Sequence, residues 1–142
     1  MPPSMVNSCG CAIQRRTVTD FVLNPCRRSA IPLPPTSGER LVAPDGAGVR
    51  FFAQLDGDRV ADIQYEASTC ATLIAYAELL GDLVAGEPLR QAAALPRRTL
   101  IEALPGVPAA RLERADLVIH AWWSAVAKAV QARAEEQEQS GG

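Results

Sequence analysis

The hydrophobic and polar positions of this chain separate a pair of strands from a helical C-terminal half. Residues 49–55 and 60–67 flank Asp56-Gly57-Asp58, and an Asp-Gly pair between two such runs is typical of a β-hairpin. In the second run, Val60 and the alternate positions after it are mostly polar, while Ala61 and its alternates are mostly apolar. The pattern predicts two antiparallel strands covered on one face, with a short third strand at 40–43.

From Cys70 onward the apolar spacing becomes helical, and the segment ends at Gly86 and Pro88. Asn24-Pro25 ends an earlier predicted helix. The predicted helices span residues 13–23, 70–85, 89–95, 99–104 and 112–134. Two strands followed by helices alone predict an α+β fold, a small antiparallel sheet of two to three strands covered by helices.

Length and composition indicate one domain. The chain has 142 residues, and we expect a flexible segment at 1–12, the folded domain at 13–134 and a disordered tail at 135–142. A net charge of -2 argues against nucleic acid as a partner. The sequence suggests neither a membrane span nor a secretion signal, so we expect a cytoplasmic protein. Its oligomeric state is not predicted.

Cys70 is the strongest candidate functional residue, because it stands where the strand pattern gives way to the helical one. Unpaired N–H groups and the positive end of the dipole at a helix start favour a thiolate, and hence a nucleophile or metal ligand. The alternative is a small hydrophobic residue of the core. Cys9, Cys11 and Cys26 are the further thiols that would complete a metal site with Cys70 if the fold brought them together.

Taken together, this layout resembles the iron–sulfur cluster scaffold family of the IscU or NifU N-terminal type, over about residues 20–132. Asn24-Pro25, the hairpin leading to Cys70, Gly86 and the segment 104–108 match the family's order and spacing. The resemblance implies the IscU/NifU-like (SufE/NifU-like) fold. It also implies work in iron–sulfur cluster assembly, with a cysteine desulfurase and a recipient apo iron–sulfur protein as partners.

The family's ligand set is three cysteines and an aspartate, and Cys70 matches one of the three. By this resemblance, Gly46 stands in place of the first cysteine, Gly48 in place of the aspartate, and Glu113-Arg114 in place of the family's His-Cys pair. The resemblance implies a [2Fe–2S] cluster assembled from iron, and four thiolates from Cys70, Cys26, Cys9 and Cys11 would suffice for such a cluster or for zinc. One thiolate is too few for a cluster that usually takes four.

Two residues are expected to modulate Cys70. Arg114 stands where a third cysteine would project, and a cation there would favour the thiolate. The alternative is an arginine on the helix surface that pairs with Glu113 or Asp116. Asp45 would supply a carboxylate in place of the lost aspartate, although a turn-forming Asp-Gly pair explains it more simply.

The sequence is compatible with three functions. The first is a divergent scaffold that holds iron, zinc or a cluster, and the second is a persulfide sulfur-transfer protein that accepts sulfur at Cys70. The third is a docking partner of a desulfurase without a site of its own. Trp122 and Trp123 lie about 100° apart on a helix, so both can hardly face the same core. The second one is either available to a partner or covers the edge of the helix. With a single histidine, a conventional acid–base enzyme is not expected.

Overall fold

The computed structural model describes residues 17–141, with side chains described up to residue 137. It is an α+β structure with the antiparallel strand order β1-β2-β3, as predicted. The strands are β1 (Leu41–Val42), β2 (Gly48–Asp56) and β3 (Arg59–Ala67). The helices are α1 (Val18–Leu23), α2 (Ala71–Val84), α3 (Leu89–Ala93), α4 (Arg97–Ala103) and α5 (Glu113–Gly141), with a 3-10 turn at Ala109–Arg111 before α5.

The hairpin of β2 and β3 forms where the Asp-Gly pair predicts it, but strict alternation along β3 is wrong. Gln54 pairs with Asp62 and Leu55 pairs with Val60, so Ala61 is an extra residue on β3. Such a β-bulge reverses which face the next side chain takes. Val60 is therefore buried and Ala61 is exposed, the opposite of the predicted arrangement at this end of the strand.

Helix α2 is the centre of the core. Most of its side chains are buried, because helices α1, α4 and α5 and strand β3 all pack against it. The predicted stripe of Leu73, Ile74, Ala77, Leu80 and Val84 is buried, and Phe51, Tyr65 and Trp122 join it from the sheet and from α5. This burial fixes the first turn of α2, and with it Cys70.

A buried carboxylate holds the segment after α1 against α2. Glu78, 2% exposed, accepts hydrogen bonds from the backbone N–H groups of Cys26 (3.0 Å) and Arg27 (2.9 Å) and from the Tyr65 hydroxyl (2.7 Å). One helical turn later, Asp82 pairs with the Arg27 guanidinium. Residues 27–29 then run beside β3, where the Ser29 N–H donates to the Tyr65 carbonyl.

Helix α5 packs across the sheet and against α2, α3 and α4. It continues to Gly141, whereas the sequence pattern ends the helix near residue 134 and predicts disorder from 135. The first predicted helix begins at Val18 in the structure, where Thr17 caps it, and residues 13–16 of its predicted length lie outside the described residues. Among the described residues, no helix is long and apolar enough to cross a membrane.

Candidate functional site

Cys70 is the residue that precedes the first turn of α2. Its backbone is extended, and its carbonyl accepts the first helical hydrogen bond from Ile74 N–H at 3.0 Å. Cys70 is the free cysteine of the described residues and is partly exposed. The prediction that this thiol begins the helix is therefore correct, and its side chain is not sealed in the core.

Ser68 fixes the loop that carries Cys70. Its backbone N–H donates to the Gly48 carbonyl, and its hydroxyl accepts from the Gly48 N–H, both at 2.9 Å. Arg40 donates to the same hydroxyl at 3.2 Å. A Cβ atom at Gly48 would lie 2.8 Å from the Arg40 guanidinium, so a side chain at this position would require the Arg40 side chain to shift.

Arg114 reaches the Cys70 site from the first turn of α5. Its side chain is 3% exposed, which contradicts the alternative of an arginine on the helix surface. Its guanidinium donates to the Asp45 carboxylate and, at 3.1 Å, to Glu113, and it lines one pocket together with Cys70. Asp116, the other partner considered from the sequence, pairs with Arg97 at 2.6 Å instead.

Asp45 lies in the turn that joins β1 to β2. Its carboxylate accepts from the Ala47 N–H at 3.2 Å and pairs with Arg114, and Arg111 lies 3.7 Å away. Gly46 has a φ of +93°, a left-handed conformation that a cysteine would adopt only with strain. Asp45 therefore both forms the turn and supplies a carboxylate at the site, the two roles that the sequence presented as alternatives.

The charges of Arg114 and Asp45 shift each other's pKa in the direction that keeps both groups ionised. Burial by itself lowers the pKa of Arg114, but its hydrogen bonds to Asp45 and the Cys70 sulfur, with the charges of Cys70 and Glu113, outweigh burial and raise that pKa. The hydrogen bond from Arg114, followed by the one from Ala47, lowers the pKa of Asp45. Both groups stay ionised at neutral pH, and the guanidinium is a permanent cation.

These residues line one pocket of about 550 Å³. Its walls are the turn 45–47, the loop and first helical turn at 68–72, and the side chains of Arg111 and Arg114. The start of α2 contributes unpaired N–H groups and the positive end of a helix of 14 residues. The pocket therefore combines one thiol with a cationic and N–H-rich lining, which suits an anionic sulfur species.

The other predicted ligands do not join Cys70 within the described residues. Cys26 is disulfide-bonded and lines a different pocket, with Arg27, Arg28 and Asp62. Cys9 and Cys11 lie outside the described residues. In residues 17–141 we find no group of three or more His, Cys, Asp and Glu side chains placed to hold a metal ion. The described part of the chain offers one thiol at this site, with a carboxylate already paired to arginine, and this set alone does not fit a [2Fe–2S] cluster or a zinc ion.

Sequence reasoning missed Arg111 and Ser68. Arg111 precedes Arg114 by three residues, a spacing that puts two side chains on one side of a helical turn, and this was the available signal. Ser68 carries no signal of its own, because its role depends on the approach of Gly48 from another strand.

Comparison with known proteins identifies the class. The sequence model of the NifU-like N-terminal domain family matches residues 14–137. The chain therefore belongs to that family, as its layout predicts. A curated relative is the bifunctional protein NifU/MnmA of Rubrobacter xylanophilus, 33% identical over 90 residues. That match covers 63% of this chain and 18% of the relative, so the chain spans less than a fifth of that protein.

Solved structures show the same fold at low sequence identity. A NifU-like protein (N-terminal) from Brucella abortus has a TM-score of 0.59 at 19% identity, covering 80% of this chain and 92% of its own. A candidate iron–sulfur cluster assembly scaffold protein for the SUF system from Fervidobacterium islandicum AW-1 has a TM-score of 0.60 at 16% identity, covering 80% and 96%. A hypothetical protein reaches 0.62 at 21% identity, covering 78% and 93%.

Proposed function

We propose that this protein works in iron–sulfur cluster assembly as a sulfur carrier, in which Cys70 accepts a sulfur atom from the persulfide of a cysteine desulfurase. The observation that carries this proposal is the pairing of one partly exposed thiol with a buried guanidinium in a single pocket. Family membership supports the general process. The names of the relatives described above, a NifU/MnmA protein and a scaffold protein for iron–sulfur cluster assembly, support the same general process.

The proposed step needs one thiolate and an open approach. The Cys70 thiolate attacks the outer sulfur of the donor's persulfide, a bond forms between that sulfur and Cys70 Sγ, and the donor's S–S bond breaks. The donor cysteine leaves as a thiolate, so electrons balance without an added oxidant or reductant. The product on Cys70 is a persulfide, which becomes an anion again when its outer sulfur gives its proton to water, and Arg114 lines the same pocket.

A cluster-holding scaffold receives less support from the same pocket. Cys70 is the single thiol that lines it among the described residues, and Asp45 is paired with Arg114 and close to Arg111. A carrier passes its sulfur on, so we propose that an apo iron–sulfur protein, or a scaffold that loads it, is the final recipient. We expect no turnover of a small substrate.

The compartment follows from the chemistry of the proposal. Accepting sulfur requires that Cys70 stay reduced, and thiols are kept reduced in the cytoplasm. We therefore propose a cytoplasmic location, where a desulfurase that uses free cysteine would supply the sulfur.

Mass spectrometry tests the sulfur-acceptor role. The reduced protein, freed of reductant under anaerobic conditions, is incubated with an active cysteine desulfurase and L-cysteine. We expect a mass increase of one sulfur atom that maps to the peptide containing Cys70. Cys26→Ser, which alters a cysteine that is disulfide-bonded in the structure and lines a different pocket, is the control and should keep the adduct on the Cys70 peptide, whereas Cys70→Ser should lose it.

Two results would contradict the proposal. One is an unmodified wild-type protein while the desulfurase itself carries persulfide. The other is an adduct of equal amount on Cys70→Ser. If Cys70→Ser also supports cluster assembly in cells as well as the wild type does, the docking-partner function is favoured.

A further inference from the structure

The Cys70 pocket contains a cation that belongs to the protein chain itself. Arg114 and Cys70 line the same pocket, and the two terminal nitrogens of the Arg114 guanidinium are held by Asp45 and Glu113. Its Nε is buried without a hydrogen-bond partner among the described residues. With 3% of the side chain exposed, Arg114 is a fixed part of the pocket rather than a surface group that swings in and out.

A metal ion on Cys70 would have to share this place. A zinc ion lies about 2.3 Å from a ligating sulfur, and the buried Arg114 guanidinium lines the same pocket as Cys70. Two cations this close repel each other strongly where water is partly excluded. The Asp45 carboxylate, which would offset the repulsion as a second ligand, is paired with Arg114.

We infer that Arg114 takes the place of a metal ion at this site and makes the pocket a metal-free site for an anionic sulfur on Cys70. As a positioning residue, Arg114 compensates the charge of the thiolate and keeps divalent metals off the sulfur. The part of this inference that concerns a persulfide as the anion rests on the proposed function. The exclusion of metal does not.

The same geometry indicates which substitution would allow this pocket to bind a metal ion. The substitution Arg114→Cys would remove the cation and release Asp45. It would also place a thiol in the first turn of α5, at the pocket that Cys70 lines from the start of α2. Cys70, the new thiol and Asp45 would then be three ligands of types that zinc and cobalt accept. A single substitution is therefore expected to turn an anion site into a metal site.

Cobalt binding tests this expectation without any activity assay. Reduced wild type, Arg114→Cys and Arg114→Gln are titrated anaerobically with Co²⁺, and the thiolate-to-cobalt charge-transfer absorption is recorded. We expect a near-stoichiometric band in Arg114→Cys with an affinity at least ~10-fold above that of the wild type. Arg114→Gln, which removes the cation without adding a ligand, should bind more weakly than Arg114→Cys.

Controls assign the signal to this pocket. Adding Cys70→Ser to Arg114→Cys should abolish the absorption band. A band that remains in the double variant would show that cobalt is bound by the other cysteines of the chain. Circular dichroism and urea unfolding establish that each variant is folded. A wild-type protein that binds Co²⁺ through Cys70 as tightly as folded Arg114→Cys does would overturn the inference.

A second measurement decides the matter if Arg114→Cys does not fold. The rate of Cys70 alkylation by iodoacetamide at constant neutral pH reports how far the thiolate is stabilised. We expect Arg114→Gln to react about 3–10-fold more slowly than the wild type, and Arg114→Lys to retain most of the rate. Equal rates in wild type and folded Arg114→Gln would refute the charge-compensating role. Neither measurement uses a desulfurase, so failure of sulfur transfer is distinguishable from failure of this inference.

Discussion

Asp45, in the turn after β1, and Arg114, in the first turn of α5, form an ion pair across 69 residues of sequence. The arginine side chain is buried, while that of Asp45 is 49% exposed. The pair thus lies at the edge of the core, where it ties the turn to α5 beside Cys70. Because the buried cation depends on this carboxylate, Asp45 connects the stability of the fold to the chemistry of the site.

Asp45→Asn should lower the stability of the protein at neutral pH, because buried Arg114 loses a charged partner. The folded pKa of Asp45 lies below its ordinary value of 3.8, mainly through the hydrogen bond from Arg114. A carboxyl group with a lowered pKa stabilises the fold above its unfolded pKa, and this contribution disappears as the pH falls through the folded pKa. The difference between wild type and Asp45→Asn should therefore be present at neutral pH and disappear at acidic pH, as the pH falls through the lowered pKa of Asp45.

Urea unfolding at the two pH values measures this difference. Glu87→Gln, a change at an exposed carboxylate of the loop after α2, is the control and should unfold like the wild type at both. Identical unfolding midpoints for wild type and Asp45→Asn at neutral pH would mean that the pair contributes nothing to the fold.

The position of Cys70 was predictable and its surroundings were not. A change from period two to period 3.6 is a local property of the sequence, so it locates Cys70 at the start of α2. The contact of Arg114 with Asp45 depends on how α5 crosses the sheet, which a local pattern does not encode. The family resemblance brought the two positions together, but it left open whether Arg114 is buried or exposed.

Errors in the strands and helices have physical causes of the same kind. The bulge at Ala61 puts Val60 into the core, and nothing in the alternation of residues 60–67 marks the extra residue. The polar composition beyond residue 134 suggested a tail, yet the helix continues to Gly141. Good helix formers, Glu and Gln, in residues 135–139 offered the contrary signal.

Trp122 and Trp123 should differ in their contribution to stability. Trp122 is buried and donates to the Ala92 carbonyl at 3.0 Å, while Trp123 is 47% exposed and donates to the Ala93 carbonyl at 3.0 Å. Trp122→Phe should cost about 2–3 kcal/mol through lost volume and an unpaired carbonyl, and Trp123→Phe about 0.5 kcal/mol or less. Urea unfolding measures both.

Fluorescence gives an independent check on the same pair. Trp123→Phe keeps the buried indole and should emit at shorter wavelength in the folded state, whereas Trp122→Phe keeps the exposed one and should emit at longer wavelength. Equal emission maxima, or equal losses of stability, would contradict the assigned environments.

Gly38→Ala should destabilise the protein although φ at Gly38 is not in the left-handed region. A Cβ atom there would lie 2.5 Å from the backbone nitrogen of Ala125 on α5, and a helix backbone has no room to move aside. The loop also holds Gly38 N–H to the Phe51 carbonyl at 2.9 Å and Glu39 N–H to the Ser124 hydroxyl at 2.8 Å. We expect a loss of about 2–3 kcal/mol by urea unfolding.

Ser124→Ala separates the steric effect of Gly38→Ala from the loss of a hydrogen bond. It removes the acceptor for Glu39 without adding an atom, and should cost about 1 kcal/mol. If Gly38→Ala proves no more destabilising than Ser124→Ala, the close approach of the loop to α5 is not a constraint on the fold.

Glu78→Gln should be among the more damaging single-atom changes in this chain. The carboxylate accepts three hydrogen bonds, one from Cys26 N–H at Oε1 and two at Oε2, from Arg27 N–H and the Tyr65 hydroxyl. Burial and the adjacent Glu78 raise the pKa of Tyr65, so the hydroxyl remains a donor. A glutamine presents one oxygen, and its NH₂ group would face at least one backbone donor, so we expect a loss of about 2–4 kcal/mol.

Tyr65→Phe is the matched control, because it removes one donor and leaves both backbone hydrogen bonds of Glu78 in place. It should cost about 1–1.5 kcal/mol by urea unfolding. Native-state hydrogen exchange adds a local readout: the Cys26 and Arg27 amides should exchange faster in Glu78→Gln than in Tyr65→Phe at matched global stability. If the two variants lose equal stability and protect these amides equally, the carboxylate does not hold the segment after α1, and packing of Phe21 against the core must do so instead.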